Sequence, residues 1–265
     1  MFLADFHVHT NMSDGKMPLP DVVDLFGSRG LGAVAITDHL CENRSVLGRA
    51  SRYLKCSLTE ENFAEHMANI KKEGARAWKQ YGMLVIPGFE ITKNSISNHR
   101  SAHMLALGTD QYVDPNLDII DICKQVRGFG GVTIAAHPVS TRKLEKQTFH
   151  LWDRREELRP YFDAWEVASG PHLFDEVLHS GLPMIASSDL HHPKQMTSWK
   201  SALRCEKSQD AILEAIRRQE LSFAFYEDAE TVRGKLSLAA AFSPMRGLYA
   251  AKQAVSIGGD PFPLT

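Results

Sequence analysis

The chain has 265 residues, 43% of them hydrophobic and 23% charged, with a formal net charge of −2. That balance excludes a disordered or fibrous chain, and a charge so near zero supplies no global field toward nucleic acid or membrane. The length is ample for a large core and ordinary for one α/β barrel.

Cys41, Cys56, Cys123 and Cys205 are widely scattered, with no C-x-x-C pair. They read as free thiols of a reducing compartment. No basic-then-apolar leader opens the chain, and no apolar run nears the roughly 20 residues that span a bilayer. The expectation is a cytoplasmic protein that does not enter a membrane.

The first predicted strand is Leu3–His9. Its His7 and His9 share one face, because side chains two residues apart on a strand point the same way. Asn11–Lys16 is a polar loop with a Ser13-Asp14-Gly15 turn, short enough to bring Asp14 back over the histidines. Pro18 and Pro20 suit a helix start, Val22, Val23 and Phe26 give it an apolar face, and Gly27 and Gly30 end it. Gly32–Ile36 is continuously apolar and reads as a buried strand leading into Thr37-Asp38-His39.

Residues 41–58 form a long connection with Arg44, Arg49, Arg52 and Lys55, of a length often associated with function. Ser57 and Glu60 have capping-box spacing ahead of a helix over Glu60–Tyr81. Met83–Ile86 is a strand, with Pro87-Gly88-Phe89-Glu90 as its exit. Ala102–Leu107 is another strand, carrying His103. A helix over Leu117–Arg127 is followed by a strand over Gly131–Ala136 that ends in His137-Pro138. Residues 140–160 are basic and partly helical. Asp163–Val167 is a strand, Leu173–Ser180 a helix, and Pro183–Ala186 a strand leading into Ser187-Ser188-Asp189-Leu190-His191-His192. Ser208–Glu220 is a helix and Leu221–Tyr226 a final strand. The tail from Arg233 has no assigned order, and the whole chain reads as one domain.

Strands alternating with helices predict a parallel sheet. About seven such units over this length predict a TIM-like barrel, whose active site lies at the C-terminal ends of its strands. Ligand-type residues collect at those exits: His7, His9, Asp38, His39, Glu90, His103, His137, Asp189 and His191. Imidazoles and carboxylates without thiolate suit Zn, Mn or Fe. The set is too large for one four-coordinate ion, so two or three divalent ions are expected.

These pieces resemble the polymerase and histidinol phosphatase (PHP) superfamily. The matching stretches are His7-Val8-His9-Thr10 with Ser13-Asp14-Gly15, Thr37-Asp38-His39, Gly88-Phe89-Glu90, His103, Ala136-His137-Pro138 and Ser188-Asp189-Leu190-His191. They cover roughly residues 4–192 in the family's order. The resemblance implies a distorted (β/α)7 barrel with up to three metals. It implies that His7, His9, Glu90 and Asp189 hold the first metal. Glu90 would bridge to a second held by His103 and His137, and Asp14, His39 and His191 would hold the third. Some members have histidine where this chain has Asp14.

Three divalent ions outweigh the charge of Asp14, Glu90 and Asp189, so the pocket should attract an anion such as phosphate. Adjacent metals lower the pKa of water and clamp phosphoryl oxygens during in-line displacement. A hydroxide bridging the first two metals is the expected nucleophile. Asp38 can orient an imidazole. His192 can protonate the leaving oxygen, and Arg142 can fork onto phosphate. Arg100 and Lys194 are further candidate phosphate contacts. His66, His150, His172 and His179 read as structural. The resulting expectation is a phosphatase acting on a small phosphorylated metabolite, a nucleotide, nucleoside bisphosphate or histidinol phosphate. Alternatives are a phosphodiesterase on short oligonucleotides, a metal-dependent amidohydrolase and a non-catalytic accessory domain. No basic and aromatic stripe predicts binding of long nucleic acid.

Overall fold

The structure is a computed structural model, and it describes residues 1–45, 50, 56–93, 101–139 and 149–227. The first half is built from β1 (Phe2–Asp5), α1 (Leu19–Ser28), β2 (Ala33–Ile36), β3 (His39–Cys41), α2 (Glu60–Tyr81), β4 (Leu84–Lys93) and β5 (Ala102–Leu107). The second half contributes α3 (Ile119–Gly128), β6 (Val132–Ala135), α4 (Phe149–Asp153), α5 (Arg155–Leu158), β7 (Ala164–Ser169) and β8 (His172–Leu173). It ends with α6 (Asp175–Leu178), β9 (Met184–Ser187), β10 (Ser198–Leu203), α7 (Gln209–Arg218) and β11 (Leu221–Tyr226).

The strands form one curled mixed sheet in the order β11-β10-β1-β2-β4-β5-β6-β7-β8, with β3 on β4 and β9 on β7. β1, β2 and β4 are mutually parallel, as are β6, β7 and β9. β5 runs against both neighbours, β4 and β6. The expected all-parallel (β/α)7 alternation is therefore broken at this strand. The reason is chain length: residues 94–101 are fewer than the dozen or so that a parallel crossover requires. Beyond β1 and β9 the backbones meet again through a parallel bridge between Val8 and Leu190.

The sheet's two faces gather separate apolar clusters. Val34, Ile36, Val85, Phe89, Met104 and Trp165 belong to the cluster that α1 to α6 cover. Ala33, Ala35, Ile86, Leu105, Leu107, Val132 and Ile134 belong to a separate cluster and pack with Ile212, Leu213 and Ile216 of α7. The alternation of strand side chains produces this division.

The helix boundaries have local causes. α1 begins at Pro18 with a proline in its first turn, where a missing N–H costs nothing. α2 is capped by Thr59 and Asn62 reciprocally, and it ends on Gly82 in the left-handed conformation. The cap thus starts two residues beyond the Ser57 expected from spacing. Ser57 instead donates its hydroxyl to the carbonyls of His39 and Leu58. The helix expected over 173–180 shortens to α6 because His172–Leu173 pair with β7. Among the described residues no helix is long and apolar enough to cross a membrane.

Candidate metal centre

The first strand stops at Asp5, and the chain then runs along the partner that closes the curl. His9 donates its N–H to the Leu190 carbonyl at 2.8 Å, and Leu190 donates to the His7 carbonyl at 3.1 Å. His7 and His9 are both fully buried, with ring centroids 5.0 Å apart.

The next loop folds back over them, as its length and turn residues predict. Gly15 donates its N–H to the Thr10 carbonyl at 3.0 Å. A Cβ on Gly15 would lie 2.6 Å from the His9 carbonyl oxygen, so no larger residue fits this approach. Asp38 fastens the loop from beneath. It accepts from the Thr10 N–H at 2.7 Å, the Thr10 hydroxyl at 2.7 Å and the Ser13 hydroxyl at 2.6 Å. His66 on α2 faces the same carboxylate at 3.1 Å. Asp38 therefore does not orient one of the predicted ligand imidazoles; it holds the backbone that carries Asp14.

Glu90 is the hub. β4 does not end at Ile86 but continues through Pro87-Gly88 to Lys93, so Glu90 sits within the strand. Its Oε2 lies 3.5 Å from Nε2 of both His7 and His9, and 2.7 Å from His39 Nδ1. Its Oε1 lies 2.8 Å from His103 Nδ1 and 3.5 Å from His137 Nε2. His103 reaches the site because β5 is reversed: its first residues, not its last, share the rim with the end of β4, and His103 pairs with Thr92.

Asp189 Oδ1 stands 3.3 Å from His7 Nε2 and 3.4 Å from His9 Nε2. Asp14 Oδ1 is 3.1 Å from His191 Nε2 and 3.5 Å from His39 Nε2. Four overlapping groups result: His7, His9 and Glu90; His7, His137 and Asp189; His39, Glu90 and His103; and His9, Asp14, His39 and His191, with donor atoms inside each group within 4.8 Å of one another. All nine predicted ligands are brought together. His9 joins the Asp14 group, which the resemblance had not included.

Two of the nine hold unusual backbone. His137 has φ of 27° and Asp189 of 52°. Such positions cost about 1–3 kcal/mol each for non-glycine residues and persist where surroundings over-determine them. At His137 the determinant is Glu166, a buried carboxylate that sequence reasoning passed over. Glu166 Oε2 accepts the His137 N–H at 2.7 Å, and Oε1 lies 3.0 Å from His7 Nδ1. A carboxylate behind a ligating imidazole fixes its tautomer and turns the other nitrogen toward the metal. The available signal was an acidic residue in the middle of the apolar run Ala164–Val167.

The site's electrostatics follow from packing unlike charges out of water. Burial pushes the Glu90 carboxyl up, but His39, His103 and His7 outweigh it and hold it well below the usual range. Asp189 is likewise driven up by burial and held well below by His7 and His9. Burial lowers His7, yet Asp189, Glu166 and Glu90 carry it well above the ordinary imidazole value. His9 is pushed down to about 4 by burial and by His39 and His191.

The donor atoms themselves fit divalent cations. His7 Nε2 and His9 Nε2 are buried without a hydrogen-bond partner, and Glu90 Oε2 and Asp14 Oδ1 face imidazole nitrogens. Unsatisfied buried polar atoms are costly, and here they converge on one space. The set is nitrogen and oxygen only, which suits borderline and hard first-row ions. Among the described residues no cysteine belongs to a ligand group.

The other predicted site residues sit differently. His192 is exposed, and its Nδ1 accepts the Lys194 N–H at 3.2 Å, capping the short turn Pro193–Met196. Lys194 is exposed on that turn. Arg100 and Arg142 lie outside the described residues.

A family model for the PHP domain matches residues 5–216 of this sequence. The chain belongs to the PHP-domain family. No curated protein sequence matches it. Among solved structures, a two-domain protein from Bacteroides vulgatus containing a predicted PHP-like metal-dependent phosphoesterase superposes with a TM-score of 0.62 at 22% identity, covering 89% of this chain and 69% of that one. An amidohydrolase from Chromobacterium violaceum, with sulfate bound and no metal, gives 0.52 at 16% identity over 86% and 99% of the two chains. PsfC from Pseudomonas syringae gives 0.52 at 18% identity over 89% and 95%. At these identities the likeness is one of fold, and it matches the curled PHP-type sheet described above.

Proposed function

We propose that this PHP-domain protein is a metal-dependent phosphatase that hydrolyses the phosphate monoester of a small metabolite, such as a nucleotide, a nucleoside bisphosphate or histidinol phosphate. The observation that carries the reading is the convergence of nine His, Asp and Glu side chains, several with orphaned inward atoms. His7, His9, Glu90 and Asp189 would hold one ion. Glu90, His103 and His137 would hold a second, and Asp14, His39 and His191, joined by His9, a third. Zn, Mn or Fe would suit these donors. When bound, such ions supply Lewis acidity toward phosphoryl oxygens and a nucleophile at neutral pH.

The chain's own residues set the rest. Three carboxylates, Asp14, Glu90 and Asp189, carry less negative charge than the ions carry positive, so the pocket favours a phosphate dianion. Glu166 holds His7 and His137 in their ligating orientations. The neutral His192 ring accepts a hydrogen bond at Nδ1 from the Lys194 N–H, on an exposed residue of the turn. The imidazolium form of His192 is the proposed proton donor to the leaving oxygen, and giving up that proton returns the ring to the neutral form. Arg142, Arg100 and Lys194 are the proposed contacts to the phosphate.

The test is inorganic phosphate release by Mn-loaded protein over a panel of phosphomonoesters, nucleotides and bisphosphates. Phosphate diesters, short oligonucleotides and amide or ester substrates run beside it. Release from a monoester that His7→Ala abolishes is expected. Turnover confined to diesters or amides, with metal content confirmed, overturns the phosphatase reading and leaves the metal centre.

A further inference from the structure

Beside the centre lies a second buried polar cluster that the proposed reaction does not use. Lys200 sits in β10 with no exposed surface, its Nζ 2.7 Å from Oδ2 of the equally buried Asp5. Ala4 of β1 pairs with Ser201, which sets Asp5 opposite Lys200 across the two strands. Lys200 Nζ also donates to the Ser198 hydroxyl at 2.6 Å and lies 5.7 Å from the Phe26 ring centroid.

Packing alone does not explain a lysine here. A buried ion pair often contributes no more to stability than apolar side chains of the same volume. What the pair adds is direction. Asp5 Oδ1 accepts the Ser188 N–H at 3.0 Å and the His7 N–H at 3.4 Å. Ser188 immediately precedes Asp189, whose φ is 52°. One carboxylate therefore grips the backbone on both sides of the closure, at a ligand on one side and beside a strained ligand on the other. Bonds to an ionised acceptor are roughly twice as strong as neutral ones. Lys200 sets its ammonium against the other oxygen of that carboxylate, fixing which way Asp5 faces.

We propose that Lys200 and Asp5 are positioning residues of the metal centre, holding the backbone that presents His7 and Asp189. The inference rests on reading those two residues as metal ligands, and not on the identity of the substrate. It parallels the role of Glu166 at His137, on the other side of the site.

The test compares metal affinity with folding. The double variant Asp5→Asn/Lys200→Met removes both charges at nearly constant volume. It is expected to melt close to the parent in metal-free form, yet to bind Zn2+ at least about tenfold more weakly in chelator competition, the loss typical of outer-shell partners. Lys200→Arg, which keeps the charge, is expected to retain most of the affinity. Asp5→Glu keeps the charge but displaces the carboxylate, and it should fold and still lose Zn2+ affinity. A folded double variant with parental affinity overturns the proposal. If the double variant does not fold, parental affinity in Asp5→Glu overturns it equally. A parent protein that binds no Zn2+ overturns the metal-centre reading, and this inference with it.

Discussion

Glu166→Gln is the most informative single change, because one carboxylate serves two ligands through two different oxygens. Glutamine keeps one acceptor oxygen and replaces the other with an NH2 group. If the remaining oxygen faces His7 Nδ1, now 3.0 Å away, the amide must face the His137 N–H, now 2.7 Å away, donor against donor. A buried N–H left unsatisfied costs about 1–3 kcal/mol. Turning the amide round restores His137 and puts a donor against the His7 ring. His7 then either presents the wrong tautomer to the metal or loses its orientation. Loss of such a partner weakens metal binding or activity by about 10–100-fold, which is about 1.4–2.7 kcal/mol. Metal titration against a chelator reads the affinity, and thermal unfolding of the metal-free protein reads the stability. Parental affinity and an unshifted melt in Glu166→Gln would refute the reasoning, since neither orientation of the amide satisfies both contacts.

Other outcomes follow from the same geometry. The metal-free protein should lose stability as pH rises above about 6.5, the ordinary imidazole value. The folded values of His7 and His39 are raised well above it, chiefly by Asp189 and Glu90 against the opposing effect of burial. A group raised in the fold contributes fully below its unfolded pKa, and that contribution disappears as pH climbs through the folded one. Metal binding should strengthen over the same range, because ligating imidazoles must be neutral. A metal-free melt that is flat or rising between about pH 6.5 and 9 would contradict the assignment. Gly15→Ala should cost the Asp14 group its ion, because the new Cβ would press on the His9 carbonyl from 2.6 Å. Metal stoichiometry on a folded variant checks it, and unchanged stoichiometry counts against the loop's role. His192→Ala should slow hydrolysis of alkyl phosphates by about 10²–10⁴-fold, the range for a general acid. It should spare aryl phosphates with good leaving groups, and an equal loss on both would remove His192 from the proton-donor role.

The candidate ligands were legible because they fall where apolar runs end, a pattern that strand periodicity exposes without any tertiary information. His7, His39, His137 and Asp189 all follow such runs. Glu90 was found, although the strand carrying it was ended too early: Pro87-Gly88 reads as a turn locally, while pairing with β2 and β5 carries the strand through. The reversal of β5 was not legible, since a strand's direction resides in its partners. β10 was missed for a related reason. Ser198–Leu203 has a polar half that is buried only because Asp5 and Ser198 satisfy Lys200. Glu166 was hidden by its surroundings, as an acid inside an apolar strand shows no spacing that names its partner. Asp38 stood beside a ligand in sequence and was read toward it, whereas Thr10 and Ser13, distant in sequence, claim its oxygens.

The closure between Val8 and Leu190 has a consequence for how long the proposed centre would keep its ions. The candidate ligands span residues 7 to 191, so the proposed centre would exist only while the two ends of the curl are joined. Among the described residues the backbone part of that join is one bridge and a few hydrogen bonds, far less than the ladders elsewhere in the sheet, with the Asp5 carboxylate clasping it from the side. Val8 and Leu190 are fully buried, so parting the seam means opening the core around it. Metal lifetime should therefore be set by how often this seam parts, and it should shorten when the seam is weakened, even if every ligand is intact. Kinetic exchange of a labelled ion, in place of equilibrium affinity, is where that dependence would appear.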